Sequence, residues 1–495
     1  MRRSDRYLNI KTFTFVSGAL CLLYCFLFRP ITFEAQGDSP AYINLAKQIF
    51  NLPGAGTMDL SHRSPLYSII LGIFMLVFGE AHYLVPLMVF QYLLVFLSSL
   101  FIYKIFRQLT GNQTIAFISG LVGILNLTTI FFGYMILSET LALFLFTATM
   151  WAILKYHDDE RAIYSAAAGV ITGLLILTRY NLLGLPLVIA VILPAALFLK
   201  KKNHEVLKAI TGLALFAGGA GLILNIWAYR NYVTVGRYEL LPKHHIGQRW
   251  AVPSTISAGD VVSEEYKPVL DIFLNTEVEL TEKSQGKPYR KSSLLNYGFI
   301  RKINDYFRPP VSGYLLYRDS EDELLRHFHL EKSPDGIRLL NVKLKPFYSE
   351  IAAQHKGELR KLKVYSFLYS FKHISPTLPG SEPVNLNRLP SFILQIYKVA
   401  FIIIMLVTYA LTIAHIVYIL RRKERIKPGM KWIIIYGVIW YFPVVNCYAS
   451  VLGDANRFRY PADMVIIGLF TVYCAHFLKS ILKSNNGYEG SQATE

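Results

Sequence analysis

Apolar runs long enough to cross a membrane recur along the whole chain, and nothing else in the sequence constrains the fold as strongly. A helix needs about 20 apolar residues to span hydrocarbon. Stretches near residues 10–29, 83–104, 114–133, 135–154, 162–178, 181–199, 207–229, 393–420, 431–450 and 461–480 meet that need. Lipid offers no water to backbone N–H and C=O groups, so each crossing must satisfy its own hydrogen bonds as a helix. With 53% of 495 residues apolar and 14% aromatic, the chain reads as an all-α polytopic membrane protein of about ten transmembrane helices.

Orientation follows from Lys and Arg in short loops, which resist translocation. Placing Arg2, Arg3, Arg6 and Lys11 inside puts Lys104, Arg107, Lys155, Arg161, Lys200 to Lys202, Arg421 to Arg425, Lys479 and Lys483 inside as well. Both termini are then cytoplasmic. The formal net charge of +18 is thereby a topology signal with attraction to anionic headgroups, and nucleic acid is set aside as a partner. The first apolar run lacks a small-residue cleavage site, so a retained signal-anchor is expected. The four cysteines, Cys21, Cys25, Cys447 and Cys474, lie in or beside membrane segments and show neither a disulfide framework nor zinc spacing.

The chain divides into an N-terminal membrane core (1–229), an outer domain (230–392), C-terminal membrane helices (393–483) and a disordered cytoplasmic tail (484–495). The first outer loop, 30–82, carries Ser39-Pro40 and Ser64-Pro65, each a capping Ser followed by Pro at a first helical position. Two short helices should follow. The first aligns Tyr42, Leu45, Ala46 and Ile49 on one stripe, as an interfacial helix would. The second, Leu66 to Phe78, is too short to span. In the outer domain, 263–275, 291–307, 320–331 and 340–372 show helical spacing, which predicts a mainly α unit resting on the membrane core.

Sorting the remaining ionisable residues gives candidates for chemistry. Asp38 stands just past the first crossing, where a carboxylate can accept a proton from an attacking hydroxyl; helix-start electrostatics would equally place an acid there. Glu139 is the only acidic residue between Ile115 and Ile153. A charge at a helix centre costs about 2.5–3.5 kcal/mol on insertion scales, so it needs a partner or water. It could be a second carboxylate near Asp38, or the first-turn acid of a helix capped by Ser138. Arg63, Arg179, Arg230, Arg457 and Arg459 recur at outer ends of different segments. Guanidinium forks there can hold a phosphate, although a single interfacial arginine commonly snorkels. His62, His244, His245 and Arg249 are additional candidates on the same side. Nucleophile-elbow, zinc-protease, P-loop and EF-hand patterns are absent from the sequence.

Taken in order, Gly37-Asp38-Ser39-Pro40-Ala41-Tyr42, Arg63-Ser64-Pro65-Leu66-Tyr67, Leu137-Ser138-Glu139, Thr178-Arg179, Trp227-Ala228-Tyr229-Arg230-Asn231-Tyr232 and Arg457-Phe458-Arg459-Tyr460-Pro461 resemble the GT-C type of membrane glycosyltransferases. The likeness is to the bacterial branch similar to protein O-mannosyltransferases and the lipid A aminoarabinose transferase. It covers residues 10–240 and 393–480.

That resemblance implies a GT-C-like fold, a sugar donor on a polyprenyl phosphate, inverting displacement at the anomeric carbon, and a site on the outer face of a bacterial plasma membrane. Asp38 would match the family's general base. Many relatives read Asp-Glu where this chain has Asp38-Ser39, so a two-carboxylate role at that spot does not carry over. The five arginines become candidates for the lipid phosphate. A divalent cation, Mg²⁺ or Mn²⁺, stays open, and so does the acceptor: glycan, lipid or protein. A polysaccharide polymerase or ligase with a lipid-linked donor is the neighbouring reading. A transporter or flippase is disfavoured by crossings whose midsections carry little charge and by the lack of an internal repeat.

Overall fold

A computed structural model describes residues 8–28, 38–55, 64–198, 205–240, 251–283, 313–371, 391–421, 423–449 and 459–492. No strand occurs among them. Each apolar stretch read from the sequence is helical: α1 (Ile10–Leu27), α4 (Leu84–Thr110), α5 (Gln113–Leu125) with α6 (Leu127–Tyr134), α7 (Glu139–Asp159), α8 (Ala162–Thr178), α9 (Leu185–Phe198), α10 (Glu205–Val235), α15 (Ser391–Arg421), α16 (Lys423–Ala449) and α17 (Asp463–Gln492). Between α1 and α4 lie α2 (Asp38–Ile49) and α3 (Pro65–Phe78).

By length and composition, five helices among the described residues suffice to cross a membrane: α1, α4, the Leu207–Thr234 part of α10, Ile396–Arg421 of α15, and Tyr460–Ser480. The pair α5 and α6 would make a sixth span, broken by a 52° bend. Asn126 causes the break. Its backbone is extended, and its side chain accepts a hydrogen bond from Thr128 N (2.9 Å), restarting the helix in a new direction. α8 is apolar but shorter, whereas α7 and α16 carry charged residues toward the basic end of the bundle.

Small residues set the helix spacing. Ser165 Oγ donates to Gly212 O at 2.6 Å, and a Cβ at Gly169 would stand 2.1 Å from Phe216 O, one at Gly173 3.0 Å from Ala220 O. α8 and α10 therefore run side by side with their backbones close, as small-residue interfaces allow. Continued to the end of α8, the same register sets Arg179 level with Ile226.

A second apolar core lies outside the bundle. Val252, Tyr266, Val269 and Phe273 meet Leu316, Tyr317, Leu324, Leu340, Leu344, Phe347 and Ile351, carried by α11 (Lys267–Lys283), α12 (Gly313–His327) and α13 (Pro334–Gln354). The anticipated helix at 291–307 lies outside the described residues. The predicted 340–372 helix is two: α13 ends at His355, and α14 (Lys356–Tyr369) leaves the outer core to pack on α16. α17 runs on through Gln492, so residues 484–492 continue the last helix where the sequence suggests a disordered tail. Once nucleated, a helix extends at one hydrogen bond per residue.

Candidate functional site

Asp38 opens α2 and is half-buried. Its neighbours on the first turn fix its position. Ser39 Oγ donates to Ile136 O at 2.8 Å, and the Tyr42 hydroxyl pairs with Ser138 Oγ at 3.0 Å, both buried. Tyr42, Leu45 and Ala46 form the buried stripe anticipated from their spacing. α2 therefore lies on the short non-helical segment Met135–Ser138 that joins α6 to α7, and Asp38 sits beside the start of α7.

Glu139 is the first residue of α7 and wholly buried. Arg179, the residue that ends α8, sends Nη1 to within 3.0 Å of Glu139 Oε1, with side chains 8% and 0% exposed. The second carboxylate and one of the five proposed phosphate-binding cations are thus each other's partner. At effective dielectric 20 such a contact is worth about 5 kcal/mol of Coulomb energy, which offsets part of the cost of burying both charges. The sequence requirement that Glu139 have a partner is met, and the partner is a residue that the phosphate reading had assigned elsewhere.

The serines read as helix caps do other work. Ser39 lies within α2 and bonds Ile136 O. Ser64 forms no side-chain cap; its Oγ accepts from Tyr180 N at 3.2 Å. Ser138 likewise makes no cap and holds Tyr42. Each hydroxyl ties the loop region 38–64 to the ends of α6, α7 or α8. A deeper set of contacts, not anticipated, supports the same segment: Gln91 of α4 donates to Gly133 O (3.1 Å) and Met135 O (2.8 Å), and accepts from the Tyr67 hydroxyl at 2.8 Å. The Tyr67 ring meets Tyr42 edge-on at 5.2 Å.

Arg230 lies on α10, four residues beyond the level of Arg179, hence about 6 Å farther along the helix. Its guanidinium carbon stands 4.8 Å above the Trp227 ring, and Nη1 donates to Asn231 Oδ1 at 3.3 Å. No ion pair to it occurs among the described residues. A half-buried cation held by an aromatic ring and an amide is suited to meet an anion.

Arg459 takes a different place from the one anticipated. Its side chain is fully buried, Nε and Nη2 grip Asp463 at 2.6 and 3.2 Å, Nη1 donates to Ser370 O, and Phe401 lies 5.4 Å from the guanidinium carbon. Its charge is spent inside the bundle, and Asp463, the partner four residues on, was not singled out in the sequence although i,i+4 spacing offered the signal. His62, Arg63, His244, His245, Arg249 and Arg457 lie outside the described residues. Arg63 immediately precedes Ser64, whose hydroxyl is bonded to the residue after Arg179. Among the described residues, no group of three or more His, Cys, Asp or Glu could hold a metal ion.

Residues 62–223 match the family model of dolichyl-phosphate-mannose-protein mannosyltransferases. This part of the chain resembles that family. The mannosyltransferase-like segment contains Arg63, Glu139 and Arg179 and stops short of Arg230, while Asp38 precedes it. No curated protein sequence matches the chain. Among solved structures, ArnT from Cupriavidus metallidurans bound to undecaprenyl phosphate is similar at 14% identity and a TM-score of 0.35, covering 94% of this chain and 77% of that one. The apo state of the same protein matches at a TM-score of 0.33 with the same identity and coverage.

Proposed function

We propose that the chain is a membrane glycosyltransferase that takes a sugar from a polyprenyl phosphate and delivers it, with inversion, to an acceptor hydroxyl at the outer face of a bacterial plasma membrane. Supporting this reading, Ser39 and Tyr42, on the same helix as Asp38, bond Ile136 O and Ser138 just ahead of Glu139, and the Glu139–Arg179 pair lies inside the segment that resembles protein mannosyltransferases, which Asp38 precedes. That juxtaposition carries the proposal.

In the reaction, Asp38 removes the proton as the acceptor oxygen bonds to the anomeric carbon, and the bond from that carbon to the phosphate oxygen breaks on the opposite face. Polyprenyl phosphate leaves with the bonding electrons. Charge grows on the phosphate as it departs, so fixed cations stabilise the transition state more than the ground state. Arg230 is the described residue suited to that task, with Arg63 and Arg457 as further phosphate ligands. Glu139 has another part: it holds the Arg179 guanidinium beside the site and keeps its orientation.

Asp38→Asn tests the proposal. A general base contributes about 10²–10⁴-fold, so transfer from a polyprenyl-phosphate sugar should fall by that factor with an unchanged thermal midpoint. Near-normal turnover by the variant removes Asp38 as base.

A further inference from the structure

We infer that α14 is a half-inserted helix whose exposed face binds anionic phospholipid headgroups on the side of the membrane that holds the candidate site. Its far end fixes the depth. Ser370, just past α14, is buried; its carbonyl accepts from Arg459, and its hydroxyl accepts from Asn446 Nδ2 at 2.9 Å. Phe371 packs edge-on against Tyr409 at 5.0 Å. Tyr409 lies midway along the candidate span Ile396–Arg421, while Arg459 directly precedes the span Tyr460–Ser480, so the chain leaving α14 enters the membrane bundle between these two levels. A helix of 14 residues is about 21 Å long, enough to run from that depth up to the outer core that ends at Ile351.

The two faces of α14 differ in kind. Leu362, Ser366 and Ser370 are buried at intervals of four, on the side toward α16. Lys356, Arg360 and Lys363 are exposed along its first eight residues, and Val364 and Leu368, 45% and 43% exposed, follow toward the far end. Cations stand at the water end and aliphatics at the membrane end, which is the order of headgroup and acyl chain in a leaflet. Helix stability does not account for the cations, because positive charge near a helix N-terminus opposes the macrodipole. Glu358, the helix's one acid, faces His355 at 3.8 Å, and His355 in turn holds Asp260 at 2.6 Å. The basic stripe complements a negatively charged headgroup layer.

The test uses the full chain in zwitterionic detergent, with phosphatidylglycerol and phosphatidylcholine added in equal amounts and retained lipid counted by native mass spectrometry. Each Lys or Arg near a surface contributes about fivefold to anionic lipid binding. K356Q/R360Q/K363Q should therefore lose at least tenfold of its phosphatidylglycerol retention, while the outer-domain control R338Q/K343Q/K345Q retains it. Depth is read separately in liposomes. A fluorophore on Leu368→Cys, with the four native cysteines replaced by Ser, should be quenched by acyl-brominated lipid, and one on Val342→Cys should not. Equal phosphatidylglycerol retention by both triple variants, or an unquenched label at 368, overturns the inference.

Discussion

Removing one partner of the Glu139–Arg179 pair should do more damage than removing both. The two side chains meet at 3.0 Å with 0% and 8% exposure, so Glu139→Gln takes a negative charge from beside a buried guanidinium, and Arg179→Met takes a positive charge from beside a buried carboxylate. Breaking such a pair costs about 3–5 kcal/mol, whereas replacing both members with neutral residues of similar volume is often close to neutral. The assay is a double-mutant cycle on thermal denaturation in detergent, followed by loss of the monodisperse peak. Each single variant should denature well below the wild type, and Glu139→Gln/Arg179→Met should recover most of the loss, giving a coupling energy well above the 0.3–0.5 kcal/mol scatter of independent sites. Two single changes with small, additive effects would refute the claim that these charges neutralise each other.

Two further outcomes follow from packing and charge. Gly169→Ala pushes a Cβ to 2.1 Å from Phe216 O, while the same change at Gly218 meets nothing within 4 Å; the first should destabilise by about 1–3 kcal/mol and the second stabilise by up to about 1 kcal/mol. Equal thermal midpoints for the two variants would contradict the close approach of α8 and α10. At the basic end, burial works against the Asp158 charge, but hydrogen bonds from His157, Lys431 and Gln108 outweigh it and hold the carboxyl below its ordinary value of 3.8. A lowered native pKa gives stability that is complete above that value and fades as pH falls beneath it. Below about pH 4, thermal stability should drop more steeply in the wild type than in Asp158→Asn; parallel curves would remove the contribution.

The helices were legible because apolar run length and the clustering of Lys and Arg are one-dimensional signals, and α2 and α3 could be read from Ser-Pro and from the spacing of Tyr42, Leu45 and Ala46. What the serines do was hidden. Ser39 and Ser138 have the spacing of caps, yet they bond partners about a hundred residues away, and local sequence holds no information about that choice. The arginines show the same limit: charge and position are identical on paper for Arg179, Arg230 and Arg459, but tertiary packing gives the first to Glu139, the last to Asp463 and leaves Arg230 on Trp227. α14 was obscured by its own lysines, which mark it as an outer-domain helix although its end is buried in the bundle.

Whether the protein holds a polyprenyl carrier is read by mass spectrometry of the organic extract of the purified protein. Wild-type protein should carry a polyprenyl monophosphate, with or without its sugar, and Arg230→Ala should carry several-fold less at equal yield. An extract without polyprenyl phosphate, even after the carrier is added during purification, would contradict the account.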